Sequence, residues 1–563
     1  MASDRDLASI QEARTLAQRA KQAAPALAEF AQERIDRIVD AMAAATRPRA
    51  EEFARLAVEE TGYGVVADTV QKNLFASEQV YEFIRPMRTV GVVGRNDEKK
   101  VVEIAEPFGV VAAIVPSTNP TSTAIYKILI ALKARCPIVI SPHPSAARCI
   151  TRVAEVMAAA AREAGAPEGA INWMTTVTLE GTQELMKHRD VAVILATGGM
   201  GLVRAAYSAG KPAYGVGPGN APCFVERSAD LAKAARDIIV GKSFDNGVLC
   251  SSPNSVVVES AVADELHREL THQGSYFMSP GEADKLAAIL VSPQRLPNPK
   301  LVGKPAMFLA EQAGFTVPAG TRVLIAELKG VGRDYPLSIE KLCPVLSYYV
   351  VADWREGCER CIQILRYGGM GHTMSIHSRN EQVILEFGLK KPAFRIVVNT
   401  PTTHGSIGLT TGLDPAMTLG CGGYGGNITS DNISPKHLLN IKRLAYETRP
   451  AVDSSKQTSA SSAAAGNAAP SPLPKAPAAP APAGVEAALV RQQMDALLGP
   501  GQRTPKADES GATVVQFVCE EDVREALKLS RKILIGERTI ITPSARDLGE
   551  AQRVFVIAGW PRT

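Results

Sequence analysis

The chain has 563 residues, 45% of them hydrophobic, with 62 lysines and arginines against 58 aspartates and glutamates, for a net charge of +4. That length predicts about three to four units rather than one domain, and the charge balance, with no dense basic block interleaved with aromatics, excludes nucleic acid as the expected partner. No uncharged apolar stretch is long enough to span a bilayer, and the opening MASDRDLASIQEARTLAQRAK has no apolar core, so neither a membrane span nor a signal peptide is expected.

The first ninety residues are rich in Ala, Glu and Arg, with apolar positions at three- and four-residue steps, and predict helices. Short β-branched runs follow at 108–116, 137–142, 191–199 and 222–226, separated by helical stretches such as TSTAIYKILIALKAR. Strand, helix, strand at this rhythm predicts an α/β fold with a doubly wound parallel sheet. A second alternating set from about 226 to 400, including NSVVVES, TRVLIAEL, VLSYYVV and RIVVNT, predicts a second α/β unit. At 452 the composition breaks. Residues 452–483 are Ala, Pro and Ser with almost nothing to bury, and predict a disordered, semi-extended linker. Residues 485–499 then place Ala487, Val490, Met494, Leu497 and Leu498 on one stripe of an amphipathic helix that needs a surface to dock on. Residues 513–563 have the strand–helix–strand texture of a small accessory module.

Nine cysteines, at 136, 149, 223, 250, 343, 358, 361, 421 and 519, lack a framework spacing and predict a reducing, cytoplasmic setting. Cys358 and Cys361 have CxxC spacing, but no second pair completes a zinc site, so no metal is expected. Cys250, in FDNGVLCSS (244–252), suits a buried small hydrophobe as well as a nucleophile. Asn119 ends a strand and precedes Pro120, where an amide can hold an oxyanion or simply cap a helix. TGGMG (197–201) ends a strand and opens a helix, as phosphate cradles do, without being G-x-G-x-x-G. GVGPGN (215–220) is a second glycine cluster, for close approach or a packed turn. Glu340 precedes an apolar strand, and His404 follows another; His372 and His377 read as structural or solvated.

Together and in this order, PSTNPTSTAIYK, ISPHPSA, ATGGMGLVRAAYSAGKPAYGVGPGN, FDNGVLCSS, EKLCPVL, GGMGHTMSIHS and TLGCGGYGGNITSDNISPKHLLNIKRLA resemble the aldehyde dehydrogenase superfamily over residues 5–448, and specifically its CoA-acylating branch. The resemblance implies an α/β fold with a Rossmann-like cofactor domain, an α/β catalytic domain and a small oligomerisation extension. On it, residues 1–221 form the NAD- and CoA-binding domain with its N-terminal helices and a hairpin near 88–107; residues 222–407 are catalytic, and 408–450 return to the cofactor and oligomerisation region. It further implies that Cys250 is the nucleophile and that Asn119 holds the oxyanion with the Cys250 N–H. Glu340 would bind the nicotinamide ribose, and Gly198 and Gly199 would face the phosphates. Pro116, Ser117, Ser141, Pro142, His143, Gly217 and Gly219 would complete the cofactor side, and Thr402, Thr403 and His404 the substrate pocket.

Hydrolytic members of the superfamily carry a glutamate in an ELGGK-like stretch as general base. Here the matching YGVGPGN has no carboxylate. Losing a general base removes a factor of about 10² to 10⁴ from the water reaction, whereas a thiol needs less help, so thiolysis by coenzyme A is expected. The lysine that relatives place near the adenosine ribose is replaced by the Ser141–Pro142–His143 turn; NAD is the expected cofactor and NADP is left open. The small, polar 400–413 loop suits acetaldehyde or propionaldehyde, with sulfoacetaldehyde as the charged alternative. The tail resembles encapsulation peptides of bacterial microcompartment enzymes, which implies a cytoplasmic enzyme inside such a compartment, with shell or cargo proteins as partners. A homodimer or homotetramer is expected. Two competing readings remain at this stage: an inactive cargo or scaffold protein, and a hydrolytic dehydrogenase with its base elsewhere.

Overall fold

A computed structural model of the chain describes residues 4–451 and 515–557, in two compact units, Met1–Pro450 and Ala451–Thr563. The first unit is built on two parallel sheets. One has five strands in the spatial order Ile171–Trp173, Ile138–Pro142, Val110–Val115, Val191–Thr197 and Ala213–Val216. Its central strand, VVAAIV, is buried at every position, because helices cover both faces and neither side can be polar. Val111, Ala113 and Val115 enter a core shared with the helices Gln32–Thr46, Pro120–Lys133 and Ala147–Glu163. Val110, Ala112 and Ile114 enter another, beneath the helices Asp4–Ala28, Leu179–Lys187 and Met200–Tyr207.

Strand order reverses between Val110–Val115 and Val191–Thr197. At such a switch point the loops beyond the two carboxyl ends diverge and leave a crevice. The helix Pro120–Lys133 starts from this crevice and is buried along its whole length. Its Lys127 Nζ donates to the Ile114 and Leu195 carbonyls at 2.7 and 2.9 Å, tying the two switch-point strands together.

The second sheet has seven parallel strands in the order Ser275–Phe277, Val323–Glu327, Val345–Val351, Pro253–Glu259, Ala221–Val225, Gly371–His377 and Ala393–Val398. Helices flanking it start at side-chain caps that satisfy free backbone donors: Asp230 accepts from the Lys233 N–H and Asp353 from the Arg355 and Glu356 N–H groups. Cys358 and Cys361 lie buried on the helix Trp354–Tyr367, where the Lys391 ammonium donates to the Cys358 sulfur.

A third, antiparallel sheet joins Gly91–Asn96, Val101–Pro107 and Leu439–Ala445. Glu103 pairs with Arg443 and Glu106 with Lys442 across the last two strands. The segment leading into the closing strand is anchored in the first core, where the Tyr126 hydroxyl donates to the Ile433 carbonyl at 2.6 Å.

In the second unit, parallel strands Val515–Val518, Ile533–Ile541 and Phe555–Ile557 alternate with the helices Glu520–Lys528 and Pro543–Ala551. The predicted linker at 452–483 and amphipathic helix at 485–499 lie outside the described residues. Among the described residues, no helix is long and apolar enough to cross a membrane, and no group of three or more His, Cys, Asp or Glu side chains is placed to hold a metal ion.

Candidate active site

Cys250 sits on a turn between the short helical segment Phe244–Gly247 and the strand Pro253–Glu259. Within that segment Asp245 and Asn246 take left-handed backbone conformations, with φ of 50° and 51°, a costly arrangement for residues with a Cβ. Asn254 holds the other side. Its amide donates to the Gly219 and Ser252 carbonyls at 3.2 and 3.1 Å, and its oxygen accepts from the Lys242 ammonium and the Lys341 N–H, each at 3.1 Å. Lys341, fully buried, spends its own ammonium on three backbone carbonyls and the Ser347 hydroxyl.

Three functional groups converge at Gly219. A Cβ placed there would fall on the Cys250 carbonyl oxygen and lie 3.0 Å from His372 Nδ1, so only glycine fits. The Gly219 N–H donates to Glu340 Oε1 at 2.8 Å. Burial pushes the Glu340 carboxyl up to about 8, against the opposing Gly219 bond and the nearby Lys242 and Lys341 ammonium groups. Burial also pushes the Cys250 thiol up to about 12, helped by the charges of Glu340 and Cys421 and opposed by Arg395. The His372 ring is fully buried and pushed down to about 3, chiefly by burial and then by Arg395. Its Nδ1 lies 3.0 Å from the Thr373 hydroxyl, and its Nε2 has no protein partner. Both the Cys250 thiol and the His372 imidazole are therefore neutral at neutral pH.

Asn119 is the residue before the helix Pro120–Lys133, but its side chain does not cap that helix. Its Oδ1 accepts from Lys72 Nζ at 3.0 Å, and its Nδ2 has one long contact, 3.4 Å, to the Thr118 hydroxyl. Lys72 in turn pairs with Asp245, which ties Asn119 to the loop that carries Cys250.

Of the residues expected on the cofactor side, Pro116 and Ser117 follow the strand Val110–Val115, and Gly198 and Gly199 follow Val191–Thr197, so both pairs border the switch-point crevice. A Cβ at Gly199 would meet nothing within 4 Å, whereas one at Gly198 would strike Leu202. The Gly199 backbone, opening the helix Met200–Tyr207, is thus accessible to an anionic group. Ser141 and Pro142 are buried, with the Ser141 hydroxyl 2.8 Å from that of Thr182. His143 is exposed and accepts from the Ser145 N–H. Gly217 is partly buried, and a Cβ there would touch Met200.

The predicted pocket residues lie on a buried helical turn, Thr402–Ser406. The Thr402 hydroxyl is 2.6 Å from that of Ser375, and Thr403 donates to the Gly241 carbonyl at 2.6 Å, so both hydroxyls are committed to the scaffold. The His404 ring packs edge-on against Phe244, 4.7 Å between centroids, and burial pushes it down to about 4.

Sequence reasoning set His372 aside as a lone histidine and passed over Arg395, Cys421 and Lys72. Arg395 is buried and donates to the Ser430 and Gly420 carbonyls, which holds the 420–432 loop, with Cys421, against the strand Gly371–His377. The sequence signal available for His372 was its place two residues after a Gly-Met pair at the start of a fully buried strand, where a polar ring needs a reason.

Residues 4–285 match the model of the aldehyde dehydrogenase family. The chain is 45% identical over 402 residues to an aldehyde-alcohol dehydrogenase of Streptococcus pneumoniae, a match covering 70% of this chain and 46% of that protein. It thus spans about half the length of the curated relatives it matches first. An acetylating aldehyde dehydrogenase from Geobacillus thermoglucosidasius superposes with a TM-score of 0.79 at 49% identity, over 80% of this chain and 100% of that one. A propionaldehyde dehydrogenase from the fucose-utilisation microcompartment of Clostridium phytofermentans superposes with a TM-score of 0.70 at 28% identity, over 77% and 97%.

Proposed function

Because the chain belongs to the aldehyde dehydrogenase family, we propose that it oxidises a short, uncharged aldehyde to its acyl-CoA, with Cys250 as the nucleophile. The observation that carries this reading is the convergence of Cys250, His372 and Glu340 on Gly219, with the one carboxylate felt at Cys250 engaged by a backbone N–H. Cys250 Sγ attacks the aldehyde carbon as the thiolate, its proton passing to solvent. Asn119 Nδ2 and the Cys250 N–H hold the oxygen as it gains charge. NAD or NADP, bordered by Pro116, Ser117, Gly198, Gly199 and Glu340, supplies the hydride acceptor when bound. Loss of hydride from the thiohemiacetal leaves a thioester on Cys250, and the thiol of coenzyme A displaces Cys250 to give acyl-CoA.

Thiolysis rather than hydrolysis follows from the side chains around the thioester. Glu340 is bonded to Gly219 and kept largely protonated at neutral pH, so it is a poor base for water. An uncharged aldehyde is supported by His404, the one basic residue of the 400–413 loop, whose ring is neutral at pH 7 and offers a sulfonate or carboxylate no cation. The exposed edge strand Gly91–Asn96 supports assembly into a homo-oligomer, and the 452–499 composition supports placement in a bacterial microcompartment.

The test is NADH formation from acetaldehyde, propionaldehyde and sulfoacetaldehyde, with and without coenzyme A. Sustained turnover that requires coenzyme A and disappears in Cys250→Ala is the expected result. Equal NADH without coenzyme A, with free acid as product, overturns the acyl-transfer assignment. Turnover of sulfoacetaldehyde alone overturns the substrate class.

A further inference from the structure

The helix Val66–Leu74 turns a polar face inward: Thr69, Lys72 and Asn73 are all buried, and the helix runs on into a π-helical turn at Phe75–Gln79. Such a face costs stability unless each group is paired, and here each is. Lys72 forms an ion pair with Asp245, both side chains 2% exposed. The Asp245 carboxylate also accepts from the Val65 N–H at 2.8 Å and the Thr69 hydroxyl at 3.1 Å, and the Asp245 N–H donates to Asp68 at 2.7 Å. A Cβ on Gly64 would overlap the same carboxylate. Asn73 accepts from the Thr121 hydroxyl at 2.7 Å and donates to the Ala50 carbonyl. Adjacent residues of one helix therefore grip both sides of Pro120: Lys72 holds Asn119, and Asn73 holds Thr121.

We propose that Lys72, held by Asp245, is a positioning residue for the oxyanion site: by donating to Asn119 Oδ1 it determines which end of the amide faces Cys250 and strengthens the N–H that end offers. This rests on the reading of Asn119 as oxyanion donor. Without Lys72 the Asn119 amide could rotate and present its oxygen to the developing charge, which would repel it. With Lys72 in place the oxygen is occupied, and Nδ2 keeps only its long contact to Thr118. The ammonium also draws electron density from the amide, and hydrogen bonds in such a chain reinforce one another where water is excluded. Asp245 has a second task. It lies in the left-handed turn five residues before Cys250, and its bonds from the Val65 N–H and the Thr69 hydroxyl, which an amide oxygen can also accept, hold that turn independently of Lys72.

The test compares wild type with Lys72→Met, the charge-neutral pair Lys72→Met/Asp245→Asn, Asn119→Ala, and Lys72→Met in the Asn119→Ala background. It reads the NADH burst with propionaldehyde, the KM for NAD, the iodoacetamide alkylation rate of Cys250, and the melting temperature. The neutral pair guards against loss of fold from an unpaired buried carboxylate. The expected result is a burst rate about tenfold lower in the neutral pair, a part of the 10²–10³ that an oxyanion donor supplies, with KM and alkylation unchanged. In Asn119→Ala, adding Lys72→Met should cost about twofold or less, because residues acting through one group are not additive. An equal loss in both backgrounds, no loss in either, or a parallel fall in alkylation makes the cluster scaffold only and overturns the proposal. A wild-type enzyme with no burst on any aldehyde, while Cys250 still alkylates, instead overturns the reading of Asn119 and this inference with it.

Discussion

Gly219→Ala tests the convergence at Cys250, the proposed nucleophile, with one methyl group. The added Cβ would lie inside the van der Waals envelope of the Cys250 carbonyl oxygen and 3.0 Å from His372 Nδ1. A carbon and an oxygen not bonded to each other need about 3.5 Å, so the Cys250 turn or the 217–220 loop must retreat by about 1 Å. Asn254 bonds both the Gly219 and Ser252 carbonyls, so neither segment moves freely. A misplacement of about 1 Å at the reacting atoms costs about 10²-fold in rate, while overpacking costs about 1–3 kcal/mol of stability. The assay pairs the acylation burst with a urea melt. The expected variant is folded, slower by about 10² in the burst, and altered in its Cys250 alkylation rate. A folded Gly219→Ala enzyme with wild-type burst and alkylation would refute the geometry on which the site is built.

Further outcomes can be checked on the same protein. Glu340→Gln removes a charge that raises the Cys250 thiol, so the pH profile of Cys250 alkylation should move to lower pH; movement upward contradicts the assignment. His372 and His377 are pushed down to about 3 and His404 to about 4, below the ordinary value near 6.5, so the folded state is favoured fully above pH 6.5 and loses that advantage as pH falls towards 3. Each should cost about 2 kcal/mol between pH 7 and pH 5, read from urea midpoints, and His377→Gln should flatten the decline. Thr402→Val breaks the Ser375 contact and should lower stability by about 1 kcal/mol without changing the KM for propionaldehyde, since that hydroxyl serves the scaffold.

Much of the fold was legible because its strands are buried on both faces and show as unbroken β-branched runs, as in VVAAIV, and because the N-terminal helices repeat their apolar positions. Cys250 and Asn119 were singled out through neighbouring motifs rather than through their own chemistry. Lys72 was not. It lies in a helix whose spacing announces only helix, and its partners Asn119 and Asp245 are 47 and 173 residues away. His372 was passed over for a related reason. A single imidazole in a strand acquires a neighbourhood only when folding brings the Gly219 turn to it. Thr402 and Thr403 illustrate the converse: polar residues in a loop-like stretch suggested a pocket lining, and their hydroxyls are consumed by Ser375 and Gly241.

The strand Leu439–Ala445 pairs with Val101–Pro107, and Ile433 receives the Tyr126 hydroxyl from 307 residues earlier. During synthesis this makes the first sheet's layer wait. Its five-stranded sheet leaves the ribosome in the first half of the chain, yet the strand that covers its edge hairpin and the loop that seals Tyr126 emerge only after the whole seven-stranded layer. At about 5–20 residues per second that interval is tens of seconds, with a nascent chain whose apolar helix Pro120–Lys133 has lost part of its final cover. Chaperone demand should therefore peak before residue 445 is translated. Nascent chains stalled upstream of that strand should be sensitive to protease at the Val101–Pro107 hairpin, and those stalled far enough downstream for it to clear the ribosome should not.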